Sequence, residues 1–67
     1  MLKIANCISS IRKQKGISQQ ELAEKIGVTA RTLRKWENGS DYPRLDQAFL
    51  VAQVLDIPVE RLFFYID

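Results

Sequence analysis

Apolar residues along this chain recur at three or four positions for most of its length, so the pattern predicts a series of short helices separated by glycine and proline. Ile4, Ile8 and Ile11 stand at i, i+4, i+7, and Arg12, Lys13 and Lys15 follow at the end that favours cations, which predicts a first helix from about Asn6 to Lys15, stopped by Gly16. Residues 1–4 are mostly apolar and fit either the start of that helix or a brief strand. Ser18 followed by Glu21 is the S-x-x-E capping pattern and starts a second helix at about Gln19. That helix carries Leu22, Ala23 and Ile26 on one face. Gly27 can take the left-handed conformation that ends it, Val28 can fill the gap, and Thr29 can cap a third helix whose inner face holds Leu33 and Trp36. Two such faces joined by so short a turn must pack on each other. Ala23 is small at a position where a larger side chain would hold crossing helices apart.

Gly39 ends the third helix, and Ser40 to Pro43 forms a loop. Pro43 opens a fourth helix reaching about Leu55, with a core stripe of Leu45, Ala48, Phe49, Ala52 and Leu55. Leu50, Val51 and Val54 widen the apolar surface beyond one face, so this helix is expected both to fill the centre of the domain and to reach a subunit interface. Asp56 stands where glycine or asparagine commonly ends a helix. Pro58 stops any continuation and opens a last short helix, Val59 to Phe63, with Val59, Leu62 and Phe63 facing inward. The tail, Phe64 to Asp67, is β-branched and aromatic, and it fits a strand as well as simple packing on the core.

Sixty-seven residues, 46% of them hydrophobic, with two prolines and three glycines, describe one small helical domain spanning residues 1–67. A core of that size is marginal, and self-association would add to it. The lone Cys7 has no disulfide partner and is expected to pack as a small hydrophobe. With no histidine in the chain, no zinc site or nucleophile and base can be assembled, so neither an enzyme nor a cofactor is expected. No apolar run is long enough for a signal peptide or a membrane span, and a cytoplasmic protein is expected. Net charge is +2, but it is unevenly placed. Between Arg12 and Arg44 eight basic residues meet four acidic ones, giving +4, while the flanks carry −2. The outer face of the third helix, with Thr29, Ala30, Arg31, Arg34, Lys35 and Asn38, is basic and rich in hydrogen-bonding groups, and it calls for an anionic partner that presents donor and acceptor edges.

The stretch Gln19 to Asn38, QQELAEKIGVTARTLRKWEN, resembles the helix-turn-helix of the Cro/CI-type repressors, also called the xenobiotic-response-element family. The resemblance rests on the small Ala23, the turn glycine Gly27, the apolar Leu22, Ile26, Val28, Leu33 and Trp36, and the closing Trp36-Glu37-Asn38-Gly39, and it extends from about Ile8 to Phe63. It implies an all-α domain of five helices, in some small members with a terminal strand pair joining the tail to residues 2–4. It also implies a transcriptional regulator with its third helix in the major groove of double-stranded DNA. By position in that arrangement Arg31 is the leading base reader, with Lys35 and Ala30 beside it. Gln19, Thr29, Arg34, Asn38 and Arg44 are expected at the phosphate backbone, Thr29 also serving as a helix cap. Arg44 stands where the family usually has a small polar cap. Arg12 and Glu37 resemble an internal pair of the family and are assigned to structure. The leading expectation is a repressor that binds a palindromic operator as a homodimer. Its rival is an antitoxin-like protein-interaction module, with a regulatory protein partner docking at Phe63 to Ile66 and DNA binding secondary. RNA is disfavoured, because Phe49, Phe63, Phe64 and Tyr65 do not form a polar stacking platform.

Overall fold

A computed structural model describes residues 2–67 and has five helices and one two-stranded sheet. The order is β1 (Lys3–Asn6), α1 (Ile8–Gln14), α2 (Gln19–Ile26), α3 (Ala30–Glu37), α4 (Leu45–Leu55), α5 (Val59–Leu62) and β2 (Phe63–Ile66). Met1, part of the opening stretch, lies outside the described residues.

The boundaries of α2 and α3 follow from their caps. The Ser18 hydroxyl accepts from the Glu21 N–H at 3.0 Å while the Glu21 carboxylate accepts from the Ser18 N–H at 3.2 Å, so two first-turn donors are satisfied reciprocally. At the other end Gly27 is left-handed, φ 76°, and the Gly27 and Val28 amides return to the carbonyls of Glu24 and Ala23. Thr29 then caps α3 by accepting from the Thr32 N–H at 3.1 Å. Three residues between two capped helices hold a fixed crossing angle, and the faces so brought together bury Leu22, Ala23, Ile26, Leu33 and Trp36. Ile8, Val51, Ala52, Leu55 and Leu62 complete the core.

Four expectations are corrected. The first helix begins at Ile8, because Asn6 is the last residue of β1. Its Oδ1 accepts from the Ile8 N–H at 3.1 Å, and its Nδ2 donates to the Trp36 carbonyl at 2.8 Å, tying the strand to the end of α3. The helical spacing of Ile4 with Ile8 is therefore coincidental, and Ile4 is exposed in the strand. The stripe on α4 is also rotated. Val51, Ala52 and Leu55 are buried and Ala48 is half-buried, whereas Leu45 and Phe49 are 74% and 52% exposed. The cause is that α4 is apolar nearly all round, so periodicity alone does not select a face. Finally, α4 starts at Leu45, with Pro43 and Arg44 outside it, and α5 ends at Leu62, where the chain turns extended.

The tail is a strand. β2 runs antiparallel to β1 with Lys3 opposite Ile66, Ile4 opposite Tyr65, Ala5 opposite Phe64 and Asn6 opposite Phe63, so its partner is residues 3–6. The Cys7 N–H donates to the Leu62 carbonyl at 3.1 Å and carries the pairing into the helical body. Cys7 itself is half-buried against the core.

Candidate nucleic-acid interface

A surface that reads DNA needs donors held rigidly on one face with their hydrogen-bonding capacity free. The inner face of α3 is fixed by Leu33 and Trp36, so helical geometry sends positions 31, 34, 35 and 38, at i, i+3, i+4 and i+7, to the opposite side. Arg31, Arg34, Lys35 and Asn38 are all exposed there, and Thr29 is exposed at the start of the helix. Ala30 differs. It is half-buried and packs against the core, so its methyl is only partly on the outer face.

The hydrogen bonds separate the candidate residues into two sets. Among the described residues no ion pair or side-chain hydrogen bond engages Arg31, Arg34 or Lys35. The others are already held. The Gln19 amide donates to Glu37 Oε1 at 2.9 Å, leaving its second N–H and its carbonyl. The Thr29 hydroxyl caps Thr32 and also donates to its hydroxyl. Asn38 Oδ1 accepts from the Ser40 amide at 2.9 Å and from its hydroxyl, which leaves the Asn38 amide nitrogen as the outward group. Arg44 faces Asp46 across an exposed ion pair of 3.2 Å, and that guanidinium hydrogen bond holds the Asp46 carboxyl below its usual range. In place of a small polar cap, the Arg44 N–H donates to the Gln47 side chain at 2.8 Å.

Arg12 and Glu37 lie behind this face. The Arg12 Nε and Nη2 donate to the two Glu37 oxygens at 2.9 and 3.2 Å, and its Nη1 donates to the Ile17 carbonyl at 3.0 Å. Both side chains are at least nine-tenths buried. With Gln19 added, the carboxylate joins the end of α1, the start of α2 and the end of α3 at one point, and that point sets how the start of α2 stands beside α3. Sequence pattern shows neither the Gln19 link nor Asn6, since both are contacts between residues 18 or more apart in the chain with no periodic signature.

A helix-turn-helix family model matches residues 8–62. An uncharacterised HTH-type transcriptional regulator of Archaeoglobus fulgidus is 37% identical over 60 residues, covering 90% of this chain and 86% of that protein. The antitoxin HipB of Escherichia coli K12 is 36% identical over 55 residues, 82% of this chain, and the chain spans 62% of HipB's length. Among solved structures, SinR, a master regulator for biofilm formation crystallised in complex with DNA, superimposes with a TM-score of 0.72 at 39% identity, covering 79% of this chain and 86% of that one.

Proposed function

The chain belongs to the Cro/CI-type helix-turn-helix family of DNA-binding transcriptional regulators, and from that premise we propose that it is a repressor which holds a palindromic operator as a homodimer, acting in the cytoplasm without cofactor or catalysis. The observation that carries this reading is the set of three cations on α3, Arg31, Arg34 and Lys35, exposed on one rigid face, their side chains engaged by no ion pair or hydrogen bond among the described residues. Arg31 lies in the first turn of α3, the part of a recognition helix that enters the major groove, where a guanidinium can donate twice to guanine O6 and N7. Lys35 is one turn on and reaches a guanine or the adjoining phosphate. The part-buried Ala30 methyl supplies a smaller apolar contact to thymine. Arg34, the Asn38 amide and the remaining Gln19 N–H sit to the sides, where the phosphates run, with Thr29 and Arg44 at the edges. Arg12 and Glu37 act on structure by holding the two helices of the motif in register.

Among the described residues no helix is long and apolar enough to cross a membrane. Titrating labelled duplexes with the protein at several salt concentrations tests the reading. A selected inverted repeat should bind at least a thousandfold more tightly than random duplex. Equal affinity for both would leave only a nonspecific DNA binder.

A second reading has its own support in the likeness to HipB. On it the chain is an antitoxin-like module whose main partner is a protein. Gel shifts with and without the product of the neighbouring gene distinguish the two: a partner that abolishes or is required for the shift favours the second.

A further inference from the structure

We propose that the groove between the free edge of β1 and the end of α3 holds a phosphate of the operator backbone, with Lys3 as its cation. This rests on the DNA-binding reading above and carries the contact surface beyond the helix-turn-helix. In the sequence Lys3 belongs to an acidic flank, outside the basic segment between Arg12 and Arg44. The fold changes its neighbours. The Asn6 amide ties β1 to the Trp36 carbonyl at 2.8 Å, and Lys3, Ile4 and Asn6 then share one groove with Glu37, Asn38 and Gly39.

Backbone geometry supplies donors. The Cys7 N–H donates to the Leu62 carbonyl, and the antiparallel register sets Ala5 opposite Phe64 and Lys3 opposite Ile66. Hydrogen-bonded pairs alternate along such a ladder, so Ala5 and Lys3 turn their backbone groups toward β2, while Ile4 and Asn6 turn theirs away from it. The N–H groups of Ile4 and Asn6 therefore lie at the free edge. The groove follows that edge, since all four residues of β1 line it and only Ile66 of β2 does.

Charge selects an anion. Lys3 is exposed, and among the described residues no ion pair or side-chain hydrogen bond engages it. Among the described residues Glu37 is the one acid lining the groove. Its oxygens already accept three hydrogen bonds from Arg12 and Gln19, and its side chain is only 7% exposed, so its charge is answered from behind. Asn38 and the exposed Tyr42, on the same walls, carry an amide nitrogen and a hydroxyl.

Position selects the source of the anion. Asn38 ends the helix proposed to lie in the major groove, so the anion within reach is the DNA backbone at that groove's edge. The cavity of about 370 Å³ is on the order of twelve liquid-water volumes and admits a phosphodiester with part of its water. A peptide strand suits it less, because only two residues of β1 face outward and a lysine on an edge strand opposes strand addition.

Double-mutant cycles between protein and DNA test this. Each phosphate of a selected operator duplex is replaced in turn by a neutral methylphosphonate, and every duplex is titrated with wild type, Lys3→Gln and Lys3→Arg. Wild type should lose roughly two- to fivefold in affinity at one linkage per half-site that Arg34→Ala still senses. Lys3→Gln, with wild-type circular dichroism, should be weaker on the unmodified operator by the same factor and indifferent to that linkage, and Lys3→Arg should keep the sensitivity. Raising salt from about 50 to 200 mM should shrink the advantage of wild type over Lys3→Gln by about threefold per half-site. If Lys3→Gln misfolds, Lys3→Met takes its place. Unchanged operator affinity in the folded variant, or a loss that adds to that of every methylphosphonate, would overturn the inference and leave the edge to a peptide. Lys3-dependent inhibition of operator binding by inorganic phosphate at constant ionic strength would also overturn it, marking a site for a free anion. A wild type that binds no duplex defeats the DNA-binding reading itself, whereas operator binding with no linkage coupled to Lys3 defeats this inference alone.

Discussion

Arg12 and Arg34 show how differently two arginines in one small helical domain are used. Arg12 is buried and makes three hydrogen bonds to Glu37 and the Ile17 carbonyl. Removing it leaves a carboxylate uncompensated inside the packing of three helices, so Arg12→Ala should lower stability by about 3 kcal/mol or more, read by chemical denaturation, without changing the base preferences of whatever remains folded. A normal unfolding midpoint together with an altered consensus would move Arg12 from structure to readout. The Arg34 side chain is exposed and has no ion pair or hydrogen bond among the described residues. Arg34→Ala should weaken binding to every DNA sequence alike and reduce the dependence of log K on log salt by about one ion per half-site, because a phosphate contact and its released counterion are lost together. A changed sequence preference in that variant would contradict its placement at the backbone.

The elements divide by how local their causes are. The turn between α2 and α3 was legible because its signals are neighbours in the chain: Ser18 with Glu21, then Gly27, Val28 and Thr29. Ala23 is fully buried where the two helices meet, and Ala23→Leu should cost roughly 1–3 kcal/mol by overpacking, seen as a lowered melting temperature. The face of α4 was not legible, because a helix with apolar residues on nearly every side has no preferred stripe until α2 and α5 are docked on it. Asn6 was hidden for a related reason, since the spacing of Ile4 with Ile8 and Ile11 fits a helix that would include it, whereas its hydrogen bond to the Trp36 carbonyl arises only from the tertiary fold. The C-terminus of α4 carries a residue whose cost was visible in advance. Asp56 is left-handed, φ 56°, the one such non-glycine among the described residues, and it places a carboxylate beside the negative end of the helix. Asp56→Gly should therefore raise stability by about 0.5–1 kcal/mol, a shift of a few degrees in melting temperature. A lowered melting temperature would mean that the Asp56 side chain contributes a contact that outweighs its backbone strain.

At the scale of the molecule the outward-facing residues fall into two regions with opposite chemistry. One is the cationic face of α3, and the other is the apolar sheet. On the proposed reading the first touches DNA as part of a homodimer, so a palindromic site with half-sites one turn apart follows from the protein's own symmetry. On this reading α3 reads sequence and does not merely bind phosphate, and Arg31 is the side chain on which that turns. Selection of bound sites from random duplexes, run side by side with wild type and Arg31→Ala, tests it most directly. Wild type should enrich an inverted repeat with half-sites about 34 Å apart, and Arg31→Ala should lose preference at one base pair in each half-site, about 1–3 kcal/mol in a competition titration, with little change on random DNA. An identical consensus from both proteins, with operator and random DNA weakened equally, would contradict it.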